Sequence, residues 1–265
     1  MWSVETISSE DGDRIKDAVH ELAGNNLAAV RIPGVFTGEE IDTVVSNINQ
    51  QGVTWYPNFE FKQGRIGIGA TEYASKINGR EAYFLLEAES SRTRDKVFPG
   101  ELDPVGRWTD IFSQGLETSV AVEPALGNAR YFTGLVRAMM LESTTHFDHA
   151  PKQLPGWWVS QAPTQLSAVT YLQMPGSGGE LTVYDRLWKE EDEQYNRDVR
   201  EKGPNGFDGS FLADADSVTV EPNAGEMIVF NPKNYHRVQG ITSEVARLSV
   251  NTFISVSDDT LHLWN

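Results

Sequence analysis

The segment His146-Phe147-Asp148 decides the fold, and it stands just after a long, mainly apolar run from Arg130 to Leu141. In an extended strand alternate side chains point to the same side, so His146 and Asp148 share one face. A third candidate, His236, lies far downstream and must return beside them on a second strand. The spacing therefore predicts a β-rich core in which strands remote in sequence meet.

These three residues form a recognisable metal-ligand set. Two imidazoles and one carboxylate cap one face of Fe(II) and leave the opposite positions open for a co-substrate and O₂. A His-x-Asp triplet alone is weak evidence, because such triplets arise by chance on protein surfaces. The ordered combination with the later residues carries the prediction that His146, Asp148 and His236 are the metal ligands and the catalytic residues.

A candidate anion clamp follows in the next apolar strand. Arg247 and Ser249 stand two positions apart, so both side chains point the same way. A guanidinium and a hydroxyl together suit the distal carboxylate of a dicarboxylic acid. The set predicts an Fe(II)/2-oxoglutarate-dependent oxygenase, with Fe(II) as metal and with 2-oxoglutarate, bound by Arg247 and Ser249, and O₂ as co-substrates.

Composition excludes several other classes of protein. The formal net charge of −16 argues against nucleic-acid binding, which depends on Lys and Arg. No run approaches the roughly 20 apolar residues of a membrane span. The chain has no Cys, so only His and carboxylates are available for a metal. We expect a cytoplasmic protein that acts on a small molecule, without nucleic-acid or membrane partners, as a monomer or homodimer.

The order of elements predicts an α+β fold. Helical spacing appears over 8–24, over 37–48 and from Asp103 onward. Strand patterns appear at 27–32 and then in series at 130–141, 166–174, 180–184, 218–220, 227–230, 236–241 and 247–256, with a polar insertion over 188–214. We predict a double-stranded β-helix (jelly roll) with N-terminal helices packed on it. The whole chain, 1–265, is then one domain, with 1–125 a mainly helical cover and 126–265 the core.

Several segments carry a resemblance to a known family. They are Gly178–Asp185, Gly225–Asn231, Tyr235–Val238 and the closing Leu261–Asn265. In these the chain resembles the standalone Fe(II)/2-oxoglutarate enzymes of secondary metabolism, most of all the aliphatic halogenases of hapalindole-type alkaloid biosynthesis and the N-acyl amino acid hydroxylases. The resemblance runs from about Leu27 to the C-terminus and implies the jelly-roll fold, iron and 2-oxoglutarate.

One departure from the halogenases bears on the reaction. Those enzymes have Gly where the metal carboxylate would stand, which frees a coordination position for chloride. This chain has Asp148 there. The resemblance therefore implies hydroxylation of an unactivated C–H bond, with native halogenation very weak or absent.

Substrate residues are harder to predict. The glycine-rich stretch 64–69 corresponds in position to a pocket-lining stretch of the relatives. We name Arg65 and Ile66 within it as candidate substrate residues. Arg65 either binds a substrate carboxylate or has a structural role. His149 follows the metal loop directly, as a residue that supports the site or lies on the surface rather than a ligand, and Trp158 with Trp157 forms a lid or packs under a loop. Arg137 touches a carboxylate of a ligand or pairs with an acid such as Glu142.

Four functions remain open from sequence. The first is hydroxylation of a free or N-substituted amino acid. The second applies the same chemistry to an alkaloid, terpenoid or nucleotide, with desaturation or cyclisation as further outcomes. The third is a non-catalytic jelly-roll binding protein, and the fourth is a Zn(II) hydrolase, which has no need of Arg247 and Ser249.

Overall fold

The computed structural model describes residues 2–57, 62–197, 207 and 209–265. Within these ranges the helices are α1 Gly12–Ala23, α2 Gly38–Gln51, α3 Gly79–Val97, α4 Pro104–Phe112, α5 Ala150–Gln153 and α6 Glu193–Arg197. The strands are β1 Val4–Thr6, β2 Ala29–Ile32, β3 Thr54–Trp55, β4 Gln63–Ile66, β5 Glu117–Val120, β6 Val122–Glu123, β7 Ala129–Arg130, β8 Leu135–Met139, β9 Thr164–Gln173, β10 Leu181–Leu187, β11 Ser217–Val220, β12 Met227–Phe230, β13 Asn234–Val238, β14 Arg247–Ser257 and β15 Thr260–Trp264.

Two sheets form the β core. The larger has ten strands, with the order β1-β2-β12-β9-β14-β8-β4-β3 and with β15 joining β14 to β5. The smaller has the order β11-β10-β13, and His146 adds to its edge through an isolated bridge to His236. Together with the helices this is the predicted α+β jelly-roll architecture, which is confirmed.

The N-terminal part contributes strands to the large sheet in addition to the helices that cover it. Its strand β2 pairs antiparallel with β12, with Val30 opposite Val229, and β4 pairs with β8. Because β12 and β8 would otherwise be open edges, these early strands satisfy their backbone hydrogen bonds. The first 125 residues thus combine the helical layer with strands, and β2 coincides with the strand pattern expected at 27–32.

Local signals set the helix starts that the sequence showed. Thr37 and Glu40 form a reciprocal capping box at α2, which satisfies two backbone donors of its first turn. Asp103 accepts hydrogen bonds from the backbone of Val105 and Gly106, with Pro104 in the first turn of α4. In both cases a few neighbouring residues determine where the helix begins.

The large sheet has two chemically different faces. On β8, Val136 and Ala138 belong to the apolar cluster shared with the helices. Met139 points the other way, where it clusters with Val238 of β13 in the small sheet. The face that carries Met139 is therefore the inner face, turned toward the small sheet, and it is where the site is built.

No helix among the described residues has the length and apolar character needed to cross a membrane.

Candidate active site

His146 and His236 are held together by their backbones. The amide of His146 donates to the carbonyl of His236 at 2.9 Å, and the amide of His236 donates back at 2.8 Å. Their rings lie with centroids 4.2 Å apart. The bridge between the strands thus delivers the two imidazoles to one place, as the sequence required.

Each imidazole is oriented by a carbonyl two residues before it. His146 Nδ1 lies 2.7 Å from the carbonyl of Thr144, and His236 Nδ1 lies 2.9 Å from that of Asn234. A carbonyl only accepts, so in each ring Nδ1 carries the proton and Nε2 keeps its lone pair. This is the arrangement that prepares His as a metal ligand.

Asp148 completes the group. Its backbone amide donates to the carbonyl of Pro232 at 2.8 Å, and its Oδ2 lies 3.7 Å from His236 Nε2. One ligand atom from each of the three residues falls within a cluster no wider than 4.8 Å. The donor set, two neutral nitrogens and one carboxylate, fits Fe(II).

Burial also keeps His236 in the form that binds metal. Desolvation, reinforced by His146 and opposed by Asp148, lowers the pKa of His236 to about 3. A metal ligand has to be deprotonated, so a neutral imidazole at neutral pH favours binding.

Arg247 lies on the inner face with its charge unmatched. It is 4% exposed, its guanidinium lies 4.7 Å from the centre of the Tyr171 ring, and Nη1 is 3.2 Å from Met139 Sδ. No carboxylate of the described residues is within ion-pair distance of it, and its Nε has no hydrogen-bond partner among them. Since an unpaired buried cation is costly, the position fits a bound anion.

Ser249 is buried beside it. In the pairing of β14 with β8, Arg247 lies opposite Met139 and Ser249 opposite Arg137. Ser249 is 3% exposed. Its regular pairing with β8 keeps it on the same face of the sheet as Arg247. The two residues of the predicted clamp are therefore brought together.

Arg65 is placed on β4 but is already paired. Its Nη2 lies 2.7 Å from Glu72 Oε2, and a second guanidinium nitrogen donates to the carbonyl of Gly67. Ile66, its neighbour, is 4% exposed and packs in the cluster shared with the helices. The structure does not bring Arg65 and Ile66 to the same face, because adjacent residues of a strand point in opposite directions.

The two remaining candidates are His149 and Trp158. His149 directly precedes α5 and makes no side-chain hydrogen bond that caps it, and burial together with the charge of Lys233 lowers the pKa of His149 to about 4. Trp158 lies against His262, with ring centroids 4.9 Å apart, and its backbone amide donates to Glu123. Neither has a described contact with the three proposed metal ligands.

Sequence reasoning missed a polar network beside β8. Arg137 Nη1 donates to the hydroxyl of Tyr56 at 2.6 Å, and that hydroxyl donates to Glu72 Oε1 at 2.6 Å. Arg137 forms no ion pair with Glu142 among the described contacts. No local sequence pattern predicts this network, because Tyr56 and Arg137 are far apart in the chain and are brought together by the pairing of strands.

Comparisons with known proteins decide the family. The family model described as "Carrier-protein-independent halogenase WelO5" matches residues 3–265. The chain belongs to this family. Membership in the WelO5 family confirms the predicted class of enzyme, an Fe(II)/2-oxoglutarate-dependent oxygenase.

Two curated relatives support the WelO5 assignment. Leucinostatins biosynthesis cluster protein S of Purpureocillium lilacinum is 30% identical over 197 residues, which is 71% of this chain and 77% of that protein. L-gamma-glutamyl-L-propargylglycine hydroxylase of Streptantibioticus cattleyicolor is 26% identical over 244 residues, 89% of this chain and 87% of that protein.

A solved structure shares the fold. An N-substituted L-amino acid dioxygenase of Burkholderia ambifaria, in complex with alpha-ketoglutarate, superposes with a TM-score of 0.67 at 14% identity. The match covers 95% of this chain and 91% of that one. At this identity the likeness establishes the fold of this WelO5-family member and nothing further.

Proposed function

We propose that this protein hydroxylates an unactivated C–H bond of a small molecule, most readily a free or N-substituted amino acid, using Fe(II), 2-oxoglutarate and O₂. In this proposal the whole chain, 1–265, acts as one oxygenase domain, and the family match over 3–265 supports that. When bound, iron together with 2-oxoglutarate and O₂ supplies the oxidising power that the reaction needs.

The observation that carries the proposal is the unmatched charge of Arg247. A metal-ligand cluster alone also fits a hydrolase, but a hydrolase has no use for a buried Arg without a carboxylate partner. In this proposal Arg247 binds the distal carboxylate of 2-oxoglutarate and Ser249 adds a hydrogen bond. His146, Asp148 and His236 hold the iron through Nε2 and a carboxylate oxygen.

Asp148 favours hydroxylation over halogenation. Its carboxylate lies within the ligand cluster, and its backbone is fixed by the carbonyl of Pro232. A carboxylate in that position occupies the place that a halide requires. The family is named for a halogenase, so this residue is the reason for proposing a different outcome within the same family.

The amino acid substrate class rests on the relatives. One of them, 26% identical over 89% of this chain, is a hydroxylase named for a glutamyl-propargylglycine dipeptide. The leucinostatin-cluster relative carries no named reaction. The relatives thus support an amino acid derivative more than an alkaloid, terpenoid or nucleotide.

Turnover tests the proposal. Iron-loaded protein with 2-oxoglutarate and O₂ is incubated with free, N-acylated and γ-glutamyl amino acids and with small alkaloids, and succinate and product masses are measured. We expect succinate coupled to a product 16 Da heavier than one of the amino acid derivatives. A chlorinated product in the presence of chloride, or coupled oxidation of alkaloids alone, would contradict the proposed reaction or the proposed substrate class.

A further inference from the structure

Arg137 occupies a central place on the inner face. In the antiparallel pairings Arg65 lies opposite Arg137, and Arg137 lies opposite Ser249. Directly opposed residues of an antiparallel pair project to the same side of the sheet. Arg137 therefore stands between the proposed 2-oxoglutarate clamp and Arg65, in one row across three strands.

The charges in this row do not balance. Glu72 gives one carboxylate oxygen to Arg65 at 2.7 Å and the other to the Tyr56 hydroxyl at 2.6 Å. Arg137 reaches Glu72 only through that hydroxyl. Two guanidinium groups thus share one carboxylate, and among the residues that the structure describes no second acid forms an ion pair with Arg137.

The network holds the Arg137 side chain in place and engages only part of its hydrogen-bond donors. Tyr56 accepts from Nη1, while Nη2 has no described partner, so part of the guanidinium fork remains available. Burial raises the pKa of Tyr56, which keeps its hydroxyl protonated as the link between Arg137 and Glu72. A Cβ at Gly69 would lie 3.9 Å from Arg137 Nη2 and 3.4 Å from Glu72 Oε1, so the absence of a side chain there leaves room beside both groups.

We propose that Arg137, held by Tyr56 and flanked by Arg65, binds a carboxylate of the substrate. A guanidinium with free donors recognises a planar carboxylate through paired, charge-assisted hydrogen bonds. The co-substrate does not need this cation, because Arg247 serves its distal carboxylate. The inference rests on the proposed oxygenase function and narrows its substrate to compounds with a free carboxylate.

The test compares acids with their uncharged amides. Anaerobic protein loaded with Fe(II) and 2-oxoglutarate is titrated with free and N-acetylated L-amino acids, each beside its primary amide. Binding is followed through the change it causes in the visible charge-transfer band of the iron complex. The band without any added amino acid tests the proposed function separately, so that failure of one idea is distinguishable from failure of the other.

We expect wild-type protein to bind at least one acid about tenfold or more tightly than its amide, in line with the strength of hydrogen bonds to charged groups. Arg137→Met should abolish this preference while changing the affinity for 2-oxoglutarate less than about threefold. Arg137→Lys, which keeps the charge and loses the fork, should retain part of it. Arg130→Met, at an exposed site on β7, is the matched control and should behave as wild type.

Three results would overturn the inference. The first is a wild-type protein that binds every acid and amide of the panel equally. The second is an Arg137→Met protein that keeps the preference, and if that variant does not fold, an Arg137→Lys protein with an undiminished preference has the same meaning. The third is a loss of 2-oxoglutarate affinity in Arg137→Met as large as in Arg247→Ala, which would assign Arg137 to the co-substrate.

Discussion

Phe147 stacks on Trp188, with ring centroids 4.8 Å apart and planes inclined by only 13°. Phe147 is the residue between His146 and Asp148, and its side chain points away from theirs into an aromatic cluster with Phe207 and Tyr235. The insertion that follows β10 is thereby packed against the back of the proposed metal loop. From this contact we expect the polar insertion to help position the two proposed ligands.

Replacing Phe147 by Leu tests that role. The smaller side chain loses the stack on Trp188, so the loop should hold His146 and Asp148 less firmly. We expect Fe(II) affinity to fall about 10- to 100-fold, the range seen for groups that orient ligands. Isothermal titration of metal into the anaerobic protein measures it. Tyr195→Leu removes another stack of the insertion, on Phe211, and should leave metal affinity unchanged; equal losses in both variants would contradict a specific role for Phe147.

Asp148→Ala should weaken Fe(II) binding more than Phe147→Leu does. The variant deletes the one carboxylate of the cluster and leaves two imidazoles, so we expect Fe(II) affinity to fall about 100-fold or more. The same titration measures this loss. Asp110→Ala, at an exposed position of α4, supplies the control. Wild-type metal affinity in Asp148→Ala would show that the ligand set is wrong.

Arg247→Ala should act on the co-substrate and spare the metal. Removing one partner of a buried ion pair costs about 3–5 kcal/mol, so 2-oxoglutarate affinity should fall by at least about 100-fold. Fe(II) affinity should change little, because Arg247 contacts Met139 and Tyr171 and is not part of the ligand cluster. Titration of 2-oxoglutarate into the iron-loaded variant gives the first value and metal titration the second. A variant with normal 2-oxoglutarate affinity would refute the clamp.

His262 should make the fold sensitive to mild acid. Burial lowers its pKa below 6.5 in the folded chain, with Glu117 opposing the shift in part. Between the lowered pKa and 6.5 the unfolded chain binds more protons, so the free energy of unfolding decreases as the pH falls through that window. We expect urea unfolding at pH 7.5 and pH 5.5 to show a larger acid-induced loss in wild type than in His262→Gln. An identical loss in the two proteins would exclude His262 as a source of acid sensitivity.

Local signals explain which parts of the fold were predictable. Thr37 with Glu40, and Asp103 with Pro104, are caps complete within four residues, so α2 and α4 begin where the sequence indicated. Helix α3 escaped prediction because Asn78 before it makes no side-chain cap, and because Leu85 and Leu86 are exposed. An apolar stripe is what periodicity detects, and α3 lacks a clear one.

The strand predicted over 130–141 shows the same limit. It is interrupted at Gly134, whose φ of +88° bends the chain between β7 and β8. Apolar composition continues through the bend, so composition alone could not reveal it. Part of the polar insertion predicted over 188–214 lies outside the described residues.

Some residues of the candidate site could be predicted from the sequence, and others could not. Strand alternation predicted that Arg247 and Ser249 share a face, and the ordered combination of His146, Asp148 and His236, a known type of metal-ligand set, predicted that these three meet. The pairing of Arg65 with Glu72 and of Arg137 with Tyr56 depends on how β4 and its neighbouring loops lie against β8. Such contacts between remote segments leave no periodic trace in a single sequence.

The central claim is that one site holds both iron and 2-oxoglutarate, and an anaerobic titration tests it most directly. Fe(II) and then 2-oxoglutarate are added to the protein while the visible spectrum is recorded. The account predicts a charge-transfer band that needs both components, persists in Arg130→Met, and disappears in Asp148→Ala and Arg247→Ala at the same concentrations. A folded, iron-loaded wild-type protein that shows no band with 2-oxoglutarate would contradict the account.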